Sequence, residues 1–214
     1  MAPAPRPLPE GGFNFTYQPS VADLNINARA FVSARPLIAA AAIGALVFSR
    51  ATGEDRVLLI QRAPHDSFPL LWEVPGGACD WEDESIFHSV ARELWEEAGL
   101  KMTNVVRKVG KEEGFFMRTG LAVVKTTFEV EIETPKPTES AGGSQTEEAL
   151  PEVVLDPNEH VRFLWATEED CRLGKITVPG SDGEEEVVDL NFTAKHQERV
   201  VLLGFKLRRE QLAK

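Results

Sequence analysis

One proline and two glycines constrain this chain more than any other feature. Pro75-Gly76-Gly77 ends a short stretch, Trp72-Glu73-Val74, and the apolar period beyond it changes from that of a strand to that of a helix. Ile86, Val90, Leu94 and Ala98 recur every four positions, with Phe87 and Ala91 beside them, which predicts a helix over 84–98. Gly99 follows, where a left-handed cap favours glycine. Strand, tight turn and amphipathic helix in immediate succession need a sheet with a helix packed on it, so the unit belongs to an α/β fold.

The flanking sequence supplies the sheet. Residues 38–48 read as a buried strand, 51–55 as a turn and 56–61 as its antiparallel partner. After a loop at 63–71, further strands are predicted at 72–74, 105–109, 114–117, 121–132 and 161–165. Thr167 has the character of a helix cap followed by three acids, 176–178 and 186–190 suggest a hairpin, and 193–210 a terminal helix with Val200, Leu203 and Leu207 on one face. Pro3, Pro5, Pro7, Pro9 and Pro19 predict an extended arm over 1–35, leaving a domain over 36–214. Prolines, small polar residues and acids at about 133–157 read as an inserted loop.

Charge narrows the partners. Lys and Arg number 23 against 34 Asp and Glu, a net charge of −11, which argues against nucleic acid and anionic membranes. Residues 133–186 carry most of that surplus, with 14 acids and four bases. A small anionic substrate remains compatible where a metal ion supplies positive charge. The longest apolar run, 37–48, is broken by Gly44 and falls short of the ~20 residues a bilayer requires. Cys79 and Cys171 are expected as free thiols, and the first residues lack the apolar core of a secretory signal, so a cytoplasmic location is expected.

The helix at 84–98 carries the chemistry. On a helical wheel Glu93, Glu96 and Glu97 fall within an arc of about 100°. Like charges one turn apart cost about 0.2–0.5 kcal/mol, so their convergence favours a bound cation. Oxygen donors without cysteine or histidine select a hard ion, Mg²⁺ or Mn²⁺. An acidic Glu-X-X-Glu-Glu by itself is most simply a solvated face. The preceding turn changes that reading, because it aims the backbone carbonyls of Gly76 and Gly77 at the same ion. Arg92 and Glu84 are expected to pair and anchor the helix to its loop.

This segment resembles the Nudix box, in which a glycine, a five-residue loop, a glutamate and seven further residues precede Arg-Glu-aliphatic-X-Glu-Glu-X-Gly-aliphatic. Glu84, seven residues, and then Arg92-Glu93-Leu94-Trp95-Glu96-Glu97-Ala98-Gly99-Leu100 match that pattern. Six residues instead of five separate Gly77 from Glu84, either through a one-residue insertion or through replacement of the first glycine by Ala78; Trp72-Glu73-Val74-Pro75-Gly76-Gly77 favours the insertion. The resemblance spans about residues 37–170. It implies an α/β/α sandwich with a mixed sheet and metal-dependent hydrolysis of a diphosphate linked to another moiety. It further implies Glu93 and Glu97 as principal ligands, Glu96 as an additional one, and one more carboxylate from a later loop. Glu159 is preferred for that role, with Asp156 and Glu168 as competitors, and Glu93 is preferred as the base.

Other residues carry weaker signals. Arg62, at a strand end, is a candidate phosphate contact. Cys79 reads as a passive thiol, His88 as a surface residue of the helix, and His160 and His196 lack a nucleophile partner. Trp72, Trp81, Phe115 and Phe116 suit either a stacking surface or the core. The expected activity is Mg²⁺-dependent cleavage of a nucleoside diphosphate derivative. The alternatives are an isoprenoid or inositol diphosphate as substrate, or a Nudix-fold binding module without catalysis. Oligomeric state is not legible.

Overall fold

The computed structural model describes residues 6–134, 150–180 and 183–213. The first five residues of the expected arm and residues 135–149 of the expected insertion lie outside the described residues. Among the described residues, eight strands form one mixed sheet: β1 (Thr16–Tyr17), β2 (Ala40–Ser49), β3 (Arg56–Arg62), β4 (Trp72–Glu73), β5 (Met102–Lys108), β6 (Glu113–Phe116), β7 (Ala122–Ile132) and β8 (His160–Thr167). The path runs β1-β5-β7-β2-β3-β4, with β6 added to β7 and β8 to β3. The helices are α1 (Ala28–Ser33), α2 (Ile86–Ala98), α3 (Glu168–Leu173) and α4 (Lys195–Leu212). A separate hairpin pairs β9 (Lys175–Pro179) with β10 (Glu185–Asp189).

The layers follow from alternation along the central strands. Ile43, Ala45, Val47, Leu58 and Ile60 face Phe87, Val90 and Leu94 of α2. Leu46, Val57 and Leu59 lie in the opposite cluster with Val200, Val201 and Phe205 of α4. With both faces covered, β2 and β3 read as continuous apolar runs without a polar side. The result is the expected α/β/α sandwich with a mixed sheet.

One expectation is narrowed and another corrected. β2 and β3 are antiparallel, but their register covers only Phe48↔Val57 and Ser49↔Arg56. Beyond those pairs they splay, β2 running parallel to β7 from Ala40↔Val123 to Val47↔Val130 and β3 antiparallel to β8. Residues 13–33, read as part of an extended arm, instead pack on the α2 side. Val21, Leu24, Ala28 and Phe31 are buried there, Asn27 caps α1 by accepting from the Ala30 amide, and β1 pairs with β5. Prolines oppose long elements, but short ones bring these apolar side chains onto the core.

The splay positions the site. In the seam, the edge of β2 is taken by the chain around the Pro-Gly-Gly turn: Ile43 N–H donates to Gly77 O at 2.9 Å, Ala45 N–H to Pro75 O at 2.7 Å, and Cys79 N–H to Ala41 O at 2.9 Å. Just upstream, β4 pairs with β3 through Ile60↔Glu73 and Gln61↔Trp72. The turn therefore bridges the two halves of the sheet, and α2 leaves from it across their junction.

Candidate metal centre

Both glycines are required sterically, each for a different neighbour. Gly76 has φ of +147°, and a Cβ there would sit 2.3 Å from Ile43 O. A Cβ on Gly77 would lie 2.7 Å from Glu93 Oε2, so the missing side chain is the space the carboxylate occupies. Gly76 N–H donates to Glu97 Oε2 at 2.6 Å. The Gly77 carbonyl, expected to face a cation, accepts from Ile43 N–H in the sheet, and the glycine leaves the space that Glu93 occupies.

The anchoring pair is also corrected. Ser85 is the N-cap of α2 and Gly99, at φ 68°, its C-cap, so the helix starts at Ile86 and Glu84 stays outside it. The Glu84 carboxylate is exposed and lies 3.4 Å from His88 Nε2. Arg92 instead holds Asp83, with Nη2 to Oδ2 at 2.9 Å and Nε to Oδ1 at 3.1 Å. The same guanidinium reaches Glu93 Oε1 at 2.8 Å, Glu96 Oε2 at 3.0 Å and Ala78 O at 3.0 Å. Five residues separate Gly77 from Asp83, so the extra residue lies between the acid and Arg92. Arg92 and Ser89 hold Asp83 below the usual carboxylate range although burial opposes them.

Glu93 and Glu97 meet at the turn, and Glu159 arrives from the far end of the chain. A turn at Asp156 delivers it: Asn158 N–H donates to Asp156 Oδ1 at 2.8 Å, and His160 N–H to Asp156 O at 2.9 Å. Ala63 N–H then fixes Glu159 by donating to its carbonyl at 2.7 Å. Of the two competing acids, Asp156 is spent on the turn, and Glu168 pairs with Arg172 at 2.5 Å on α3. Among the described residues Glu97, Glu159 and His160 offer ligand atoms within 4.8 Å of one another.

The electrostatics of this cluster are unfavourable for the protein alone. Burial, with Arg92 opposing it, pushes Glu93 up to about 7. Burial and then the charges of Glu93 and Glu73 raise Glu97 well above its ordinary range. Burial raises Glu159 as well. Glu73 differs: burial would raise it, but His160, Lys125 and Arg62 hold it below the usual range. Burial lowers Lys125 against the pull of Glu73 and Glu97. Glu97 and Glu159, both raised, with ligand atoms within 4.8 Å of one another and of His160, form with the neighbouring Glu93 a donor set that a divalent cation fits, since it would offset the repulsion and satisfy the oxygens.

Arg62, the candidate phosphate contact, is engaged within the protein. Its guanidinium bonds Glu73, Asp66 at 2.5 Å and Ser67 O at 2.7 Å. Cys79 is buried, which pushes its thiol up to about 12 and fits a passive role. Trp72 is core, its Nε1 donating to Asp189 O at 3.0 Å, whereas Trp81 is exposed beneath Arg29, and Phe115 and Phe116 are exposed on β6. Sequence reasoning missed Glu73, Asp83, Lys125 and His160. Only His160 had a usable signal, its adjacency to Glu159 at the start of a strand.

A family model described as the NUDIX domain matches residues 39–194. Among solved structures, the MutT protein from Methanosarcina mazei Go1 is 20% identical with a TM-score of 0.53, over 82% of this chain and 98% of that one. The NUDIX domain of Shewanella oneidensis NrtR, complexed with ADP ribose, is 18% identical with a TM-score of 0.53, covering 80% and 87%. A C. elegans Ap4A hydrolase is 17% identical with a TM-score of 0.51, covering 81% and 98%. No curated protein matches the chain. At these identities the structural likeness shows the fold.

Proposed function

The chain belongs to the Nudix domain family, whose members hydrolyse phosphoric anhydride bonds, and we propose that it is a divalent-metal-dependent pyrophosphohydrolase cleaving a nucleoside diphosphate derivative. The observation that carries this reading is the approach of Glu97, Glu159 and His160, whose ligand atoms lie within 4.8 Å of one another, with Glu93 against Gly77 and Glu97 on the Gly76 N–H both raised by burial. The nucleoside part draws support from two fold relatives, one complexed with ADP ribose and one named an Ap4A hydrolase. All three box glutamates are present, which disfavours a binding module without catalysis.

Glu93, Glu97 and Glu159 would hold Mg²⁺ or Mn²⁺, with Glu96 contributing at the rim. A divalent cation bound there supplies charge neutralisation for the diphosphate and acidifies water for attack on phosphorus. The chain's own residues do the positioning. Gly76 N–H orients Glu97, Arg92 restrains Glu93 and Glu96 from one side, and Asp83 keeps Arg92 in place. Glu93 accepts the proton of the attacking water at a carboxylate oxygen, next to the space left by Gly77.

A panel of nucleoside and non-nucleoside diphosphates, assayed with Mg²⁺ and with Mn²⁺, tests the proposal. Incorporation of ¹⁸O from water locates the phosphorus attacked. Glu97→Gln is expected to keep the fold and lower turnover at least about 100-fold. Near wild-type turnover in that variant would remove Glu97 from the centre. Turnover confined to isoprenoid or inositol diphosphates would overturn the nucleoside assignment.

A further inference from the structure

The most enclosed side chain facing the cluster is an imidazole, although the sequence suggested oxygen donors alone. His160, the first residue of β8, is 2% exposed. Its Nε2 lies 3.6 Å from Glu73 Oε1 and 3.8 Å from Glu97 Oε1, and neither ring nitrogen has a hydrogen-bond partner among the described residues. A buried polar atom left unpaired is costly, so a ring with both nitrogens unmet indicates a missing partner.

The neighbouring groups already have theirs. Glu73 accepts from Arg62, and Glu97 Oε2 accepts from Gly76 N–H. What remains is one ligand atom each from Glu97, Glu159 and His160, all within 4.8 Å. Two metal–ligand bonds of about 2.1 Å span about 4.2 Å across one ion, so small side-chain movements suffice to close on it.

We propose that His160 is a nitrogen ligand, with Glu97 and Glu159, of a divalent cation in this centre, and that this position takes Mn²⁺ in preference to Mg²⁺. Mg²⁺ keeps oxygen ligands and several waters, whereas imidazole suits first-row transition ions. The inference rests on the metal-dependent reading above and specifies its donor set.

Pulsed electron paramagnetic resonance of the full chain loaded with Mn²⁺ tests it directly. The wild type is expected to show nitrogen coupling of a bound imidazole, and labelling with ¹⁵N-histidine is expected to convert that coupling to the ¹⁵N pattern. His160→Gln is expected to abolish it and to weaken Mn²⁺ binding about tenfold or more, with Mg²⁺ binding changed less than about threefold. Bound Mn²⁺ without nitrogen coupling, as expected if His160 is an imidazolium paired with Glu73 and Glu97, overturns the ligand assignment and leaves the proposed function standing. Coupling that survives His160→Gln does the same. No bound Mn²⁺ in the wild type overturns both. The labelled wild-type measurement needs no variant, so a misfolded His160→Gln cannot mask the outcome.

Discussion

Two buried charge clusters sit in this sheet, and they are built on opposite principles. Glu129 of β7 is 2% exposed and lies 2.8 Å from both Arg107 and Arg208, while Arg208 also reaches Asp55 at 2.9 Å. Acids and arginines balance there, and the cluster fastens α4 to the sheet. Around the glycine turn, among the described residues, Glu73, Asp83, Glu93, Glu96, Glu97 and Glu159 outnumber Arg62, Arg92 and Lys125, with His160 beside them. A balanced cluster is part of the scaffold, because removing either sign strands the other. A cluster left with surplus acid carries a standing cost that a bound cation relieves.

That contrast can be broken at several points. The largest expected effect is on stability, where Glu129→Gln should cost about 2–3 kcal/mol by leaving the partly buried Arg107 without its carboxylate and Arg208 with Asp55 alone, with turnover per folded molecule retained. Denaturant unfolding of the variant measures it, and an unchanged midpoint would deny the cluster its scaffold role.

The next effect is on pH dependence. Glu93 rises from 4.5 to about 7 and Glu97 rises as well, so between those pH values the folded chain binds more protons than the unfolded chain. In EDTA the melting temperature should therefore fall as pH rises from about 4.5 to 7. A metal ion competes with the proton, so Mn²⁺ should raise the melting temperature more at pH 8 than at pH 5.5. A metal effect independent of pH would exclude these carboxyls as ligands. The smallest contrast separates neighbours: Asp83→Asn should lower turnover about tenfold by loosening Arg92, while Glu84→Gln should change it less than about twofold. Steady-state kinetics of the two variants decide between the structural pair and the one the sequence suggested.

How much was legible in the chain follows from which interactions are local. The α2 face, the Gly99 cap and the Thr167 capping box with Asp170 depend on residues a few positions apart, and all were readable. The convergence of Glu93 and Glu97 was readable for the same reason. The choice between Asp83 and Glu84 was not, because it depends on where Ser85 starts the helix, and one residue reverses the answer. The splay of β2 from β3 left no trace either, since strands covered on both faces carry no alternation to fix a register. His160, Glu73 and Lys125 converge only through strand pairing across the sheet, which spacing along the chain does not report.

The edge that holds the glycine turn has a consequence for assembly. β2 is pinned on its other side by β7, whose first partner, Val123, follows Ala40 by more than eighty residues. Closing so long a loop is slow relative to forming α2. The carboxylates of the helix therefore share a face early, while the sheet edge that holds the glycine turn is complete only once the central parallel pair has zipped. The proposed cation site would be completed later still, because Glu159 and His160 lie about thirty residues beyond Val130 and join it only when β8 pairs with β3.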